Sequence, residues 1–135
     1  DREIGRLKDK LSANIADEIL AQAQDIKGVK LITHISSDLD MNGLRNLGDE
    51  LKSRLGSGVV VLGSTGGDKV SLVAMATKDV TGLGVHSGNI VKQVAQATGG
   101  SGGGRPEMAQ AGGKDKSKLA EAMESVKEIL SSQIK

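Results

Sequence analysis

Between Gly99 and Gly113 the chain reads GGSGGGRPEMAQAGG, which places seven of its nineteen glycines within fifteen residues. No other segment constrains the fold as strongly. Glycine loses more backbone freedom on ordering than any other residue, so such a stretch stays ordered only where something repays that loss. A flexible linker, a phosphate cradle and a tight packing crossover would each use these residues, and the flanks bear on the choice. A linker predicts polar, unpatterned neighbours. Here Ile90, Val91, Val94 and Ala95 recur at helical spacing on one side, and Leu119, Met123, Val126 and Leu130 on the other. Long loops between patterned elements of a compact domain are usually functional.

The rest of the core has to be aliphatic. The 135 residues are 37% apolar and include no Phe, Tyr or Trp. That absence also bears on function, because modules that read single-stranded bases stack them on aromatic rings. A nucleic-acid partner would therefore be held by sugar and phosphate more than by its bases. Without cysteine there are no disulfides or thiolate metal sites, which fits a reducing, cytoplasmic setting. Two histidines are too few for a histidine-built zinc centre. No apolar run approaches a membrane span and no signal peptide is visible. The chain opens on Asp1 inside a helical pattern, and we expect it to be a piece of a longer protein. Net charge is +1, balanced over residues 1–80 by eleven basic and twelve acidic side chains. Over residues 81–116 Lys92, Arg105, Lys114 and Lys116 face only Glu107 and Asp115, a mild positive excess around the glycines.

Periodicity predicts the order α-β-α-β-β-α, then the glycine segment, a short strand and a last helix. Ile4, Leu7, Leu11, Ile15 and Ile19 mark an amphipathic helix over residues 2–24, packed on its own domain or pairing with another chain. Val29–Ile35 alternates as a strand, and Ser36, Ser37 and Asp38 offer caps for a helix running to Leu55. Gly43 and Gly48 inside that helix suggest close packing on a strand. Residues 59–65 and 69–77 form a hairpin around Gly66-Gly67-Asp68, and Ser87 is the expected cap of a helix to Thr98. A strand at Met108–Ala111 and a helix from Ser117 to about Gln133 complete the chain. The fold class is α/β: a compact mixed-sheet α/β sandwich preceded by an N-terminal amphipathic helix.

Catalytic arrangements fail early. His34, mid-strand, and His86, at a helix entrance, are the only bases available to a serine nucleophile, and we read them as a packed residue and a capping residue. Asp38 and Asp40 lack a third ligand at metal spacing and read as caps. GLGVHSG misses the dinucleotide fingerprint by one position, and no Walker sequence occurs. No catalytic residue and no metal ligand is assigned.

The glycine stretch remains. Successive N–H groups of glycines can converge on an anion, and the missing Cβ lets a sugar–phosphate chain approach closely. Arg105 adds a planar fork matched to phosphate oxygens, and Pro106 biases it toward extended backbone. Gln110 can reach ribose hydroxyls, and Lys92, Lys114 and Lys116 supply charge. On the residues alone, phosphate contact ranks modestly ahead of a packing crossover, and both stay open.

GGSGGGRPEMAQAGG resembles the glycine-rich signature that ends alanyl-tRNA synthetases, in the domain named for its association with DHH phosphoesterases. LRNLGDELKSRLGSGVVVLGST, DKVSLVAMATKDVT and IVKQVAQATGG follow that domain's order, so the resemblance covers about residues 25–135. It implies a helical segment over 1–27, ending a connection to an upstream editing domain, and a globular tRNA-binding domain over 28–135. It further implies a non-catalytic domain of an aminoacyl-tRNA synthetase, a ligase of protein biosynthesis. Such a domain contacts the outer corner, or elbow, of the alanine tRNA so that the aminoacylation and editing centres act on one tRNA. Homodimerisation through the N-terminal helix, no cofactor in this fragment, and ATP, Mg and Zn in upstream domains follow from the same resemblance. Carried over by position, the ligand-facing residues are Gly102, Gly103, Gly104 and Arg105, then Gln110 and Gly112. Lys92 and Lys114 are added from charge. Related phosphoesterases carry a histidine after the glycines, where Arg105 and Pro106 stand here. The alternative is the substrate-binding domain of a DHH-type phosphoesterase acting on short oligonucleotides.

Overall fold

The computed structural model describes residues 19–21, 23–36, 41–65 and 70–134. Among them, six strands form one sheet: β1 (Gln24–Ile26), β2 (Val29–Ser36), β3 (Val59–Ser64), β4 (Val70–Ala76), β5 (Ser101–Gly104) and β6 (Met108–Gly113). Their spatial order is β1-β2-β3-β4-β6-β5. The helices are α1 (Met41–Leu55), α2 (Lys78–Thr81), α3 (Ser87–Ala97), α4 (Leu119–Glu124) and α5 (Val126–Gln133), with a 3-10 turn at Lys116–Lys118. β2 and β3 run parallel, joined through α1, and the other pairings are antiparallel.

Helices cover both faces of the central strands, which explains the continuous apolar run of β3, buried at all six positions. On one face Val59, Val61, Leu72 and Ala74 pack with Ile90, Val94, Leu119 and Leu130 of α3, α4 and α5. On the other Ile32, Val60, Leu62, Val73 and Met75 meet Leu44 and Leu51 of α1 and Ile19. Gly48 performs the predicted close approach: a Cβ there would stand 3.0 Å from both Sδ and Cε of Met75 on β4.

The structure departs from the expectations at several points. The expected leading helix is present over residues 19–21, but the chain is already a strand at Gln24. Residues 1–18, Ser37, Asp38, Asp40 and the Gly66-Gly67-Asp68 turn lie outside the described residues. β1 escapes periodicity because it has three residues. Its register on β2 is set by a two-residue turn, Lys27-Gly28, with φ of 53° and 89° as a type I′ hairpin requires. The last helix breaks at Ser125 into α4 and α5. The cap of α3 is His86 rather than Ser87: the His86 Nδ1 accepts from the Asn89 N–H at 3.2 Å.

The candidate nucleic-acid interface

The glycine segment is a β-hairpin. Gly102–Gly104 extend along β5 at the edge of the sheet, with Gly103 opposite Gln110 and Gly102 opposite Ala111 on β6. They form a strand and not a nest of converging N–H groups. This strand has almost no side chains to hold it, so backbone packing does so. A Cβ on Gly100 would overlap the carbonyl of Gly112, and one on Gly102 would overlap Ala111. A Cβ on Gly104 would come within 2.8 Å of the Ala109 Cα. From above, Gly88 of α3 approaches so closely that its own Cβ would stand 2.6 Å from the Gly104 oxygen. Within the near-fingerprint GLGVHSG, Gly88 is the glycine that makes this approach.

Side chains alternate along β6. Ala109 and Ala111 enter the core beneath α3, while Met108, Gln110 and Gly112 face the opposite side and stay partly exposed. Arg105 N–H donates to the Met108 carbonyl at 2.9 Å. Ladder bonds alternate along an antiparallel pair, so Gly102 and Gly104 direct their N–H and C=O groups outward from the sheet edge. All four residues of β5 are exposed.

The turn from Arg105 to Glu107 is fixed from three sides. Besides the Arg105 bond, Ser87 N–H donates to the Pro106 carbonyl at 3.0 Å and Ala76 N–H to the Glu107 carbonyl at 2.9 Å. The Arg105 guanidinium is exposed and has no ion-pair partner among the described residues. Gly103, Gly104, Arg105, Glu107, Met108 and Gln110 border an open cavity of ≈ 420 Å³.

Of the predicted residues, Gly102, Gly103, Gly104, Arg105 and Gln110 come together on this hairpin. Gly112 shares the face of Gln110 near the far end. Lys92 lies one helical turn beyond Gly88 on the same side of α3, exposed beside the glycine strand. Lys114 does not join Arg105. It follows β6 at the opposite end, its N–H bonded to the Thr98 carbonyl at 2.9 Å, and a six-residue strand separates the two by about 20 Å. Lys116 lies beyond it in the 3-10 turn. A separate cavity of ≈ 300 Å³ between β2 and α4 receives none of the candidates. It is lined in part by His34, whose pKa is lowered by burial, and by Lys127, 4.0 Å from Glu124. Among the described residues no group of three or more His, Cys, Asp or Glu could hold a metal, and no helix is long and apolar enough to cross a membrane.

A polar cluster secures the strand end that supports the turn. The Asp79 carboxylate accepts from the hydroxyls of Ser57 and Thr77, and Thr77 Oγ1 in turn accepts from Gly58 N–H at 3.1 Å. Those hydroxyls hold the Asp79 pKa below its ordinary 3.8. The folded value is depressed, so the stability this confers is full above the unfolded-state pKa and is lost as pH falls through the folded one. Asp79→Asn is expected to shrink the difference between melting temperatures measured near pH 6 and near pH 3.

A family model described as the DHHA1 domain matches residues 28–132. The chain belongs to the DHHA1 family. Among its relatives is an alanine–tRNA ligase of Alkaliphilus oremlandii, 51% identical over 134 residues, which are 99% of this chain and 15% of that protein. The chain thus spans about 15% of the length of the curated relatives it matches. Among solved structures, the C-Ala domain from Aquifex aeolicus alanyl-tRNA synthetase aligns with a TM-score of 0.74 at 33% identity, covering 82% of this chain and 98% of that one. RecJ from Thermus thermophilus, in complex with Mn2+, aligns at a TM-score of 0.63 and 11% identity over 97% of this chain and 18% of its own, a likeness of fold alone. This DHHA1 domain is therefore homologous to the C-terminal domain of alanyl-tRNA synthetase, with the mixed-sheet architecture expected of it.

Proposed function

We propose that this DHHA1 domain is the tRNA-binding C-terminal module of an alanine–tRNA ligase. It grips the sugar–phosphate backbone at the outer corner of the tRNA through the β5–β6 hairpin, so that upstream aminoacylation and editing centres act on one bound tRNA. No cofactor and no catalytic step is assigned to the module itself. The observation that carries the reading is the unpaired Arg105 guanidinium on a turn fixed from three sides, beside an exposed strand of one serine and three glycines. An exposed backbone edge beside a cationic fork suits a phosphate chain, and the sequence has no Phe, Tyr or Trp on which to stack a base. Homology to the C-Ala domain supports the tRNA as the polyanion. The phosphoesterase alternative rests on likenesses of fold alone.

The test is a tRNA-binding titration over a salt series. Arg105→Ala is expected to weaken binding of an alanine tRNA transcript roughly tenfold and to lower the slope of log K against log salt by about one. An affinity and slope equal to those of the parent would remove Arg105 from the interface. Lys114→Ala, far from the turn, is expected to change the affinity less than Arg105→Ala does.

A further inference from the structure

We infer that His86 is a second donor of this interface, presenting its Nε2–H to an acceptor oxygen of the nucleic-acid backbone bound at the glycine hairpin. The inference rests on the reading of that hairpin as a nucleic-acid interface. Its own basis is the way the ring is held. Nδ1 accepts the Asn89 N–H at 3.2 Å, so it carries no proton, and a neutral imidazole then carries its hydrogen on Nε2. The capping bond thus selects the tautomer whose donor is on the far side of the ring. Nε2 has no partner among the described residues, and His86 is only half-buried.

The ring also stands in the right place. Its Cε1, bonded to Nε2, lies 2.8 Å from the point where a Cβ on Gly88 would be, and the Gly104 carbonyl oxygen lies 2.6 Å from that point. Only a glycine at position 88 leaves room for the imidazole and the end of β5 to close on that one point. Arg105 follows Gly104 and pairs with Met108, so the ring stands beside the glycine strand on its α3 side while the arginine turn begins at the same strand end. The backbone of His86 is clamped as well: its N–H donates to Gln133 Oε1 at 3.0 Å, and Gln133 Nε2 donates to its carbonyl at 3.3 Å. Ser87 N–H then bonds the Pro106 carbonyl, so one continuous run of backbone positions both His86 and the arginine turn. A solvated cap would need none of this. Beside Gly104 the ring can serve one acceptor of a backbone segment that follows the strand edge, either a phosphate oxygen or a ribose hydroxyl.

Capping and binding can be separated by substitution. Asparagine and serine are good N-caps, and His86 has the extended backbone an N-cap uses, φ −137° and ψ 106°. His86→Asn and His86→Ser therefore keep an acceptor for Asn89 N–H while removing the far donor. With the alanine tRNA transcript as probe, both variants are expected to melt like the parent and to bind roughly fivefold or more weakly, the loss of one hydrogen bond. The deoxyribose analogue of the transcript distinguishes the two acceptors: a phosphate contact leaves the His86→Asn loss intact, and a hydroxyl contact abolishes it. Parent-like binding by His86→Asn and His86→Ser, with Arg105→Ala weakened, would leave His86 a cap alone and overturn the inference. Parent-like binding by Arg105→Ala as well would overturn the interface itself, and this inference with it.

Discussion

Gly100→Ala is expected to destabilise the domain by about 3 kcal/mol, near the upper end of ordinary overpacking, and to lower the melting temperature by roughly 10 °C. The added Cβ would overlap the backbone carbonyl of Gly112 and crowd the Cα of Gly113. Backbone cannot rotate away as a side chain can, so the end of β6 would have to move. That movement would disturb the Thr98 carbonyl, which accepts from both Lys114 N–H at 2.9 Å and Asp115 N–H at 2.8 Å. Gly112→Ala is the contrasting variant. Its Cβ would meet only the Val70 carbonyl at 3.4 Å, an ordinary contact, and the expected cost is under about 1 kcal/mol. Thermal melts of the pair divide the glycines into two kinds. Gly100, Gly102 and Gly104 are needed by the sheet whatever it binds. Gly112 is spared that demand, so any loss of tRNA affinity in Gly112→Ala reports ligand approach. Equal melting temperatures for the two variants would refute this division.

The same division explains which parts of the molecule the sequence disclosed. β2, β3, β4, α1 and α3 follow from apolar spacing because each buries a face, and spacing is the record of burial. β5 left no such record. SGGG has no side chain to alternate and poor strand propensity, and it is a strand because β6 pairs with it and Gly88 admits α3 onto it. β1 depends on the turn at Lys27-Gly28, a local backbone preference rather than a pattern. His86, not Ser87, is the cap, and Ser87 N–H is bonded to the distant Pro106 carbonyl, a pairing that no sequence window contains.

For the site, residue types were legible and distances were not. Arg105, Gln110 and the glycines were singled out by chemistry, and the hairpin does unite them. Lys114 was added on charge, and an extended β6 carries it to the other end. The signal for His86 was present in its place before a helix with asparagine three residues on, the spacing of a capping bond. What the sequence lacked was the ring's neighbour, Gly104, eighteen residues away.

Leu119→Ala is expected to cost about 3–4 kcal/mol, well into the range for emptying a buried leucine site. Leu119 is 1% exposed, and its two terminal methyls lie 3.2 and 3.3 Å from the point where a Cβ on Gly63 would stand. Position 63 of β3 carries no side chain, so Leu119 and Leu72 together fill the space above it. With no aromatic residue in the chain, no larger neighbour can swing in to close the gap. Gly63→Ala alone should cost about 1 kcal/mol, since its methyl would press on Leu72 and Leu119 at 3.2 Å. Combined, the two changes should cost at least about 1 kcal/mol less than their separate effects, because the new methyl occupies the room that Leu119 leaves. Urea denaturation of the four proteins measures that coupling, and strict additivity would show that Leu119 and Gly63 do not share the space. The same cycle reaches the interface. Leu119 begins the helix pair whose last residue, Gln133, clamps His86, so Leu119→Ala should also speed amide exchange at His86, and Gly63→Ala should partly restore its protection.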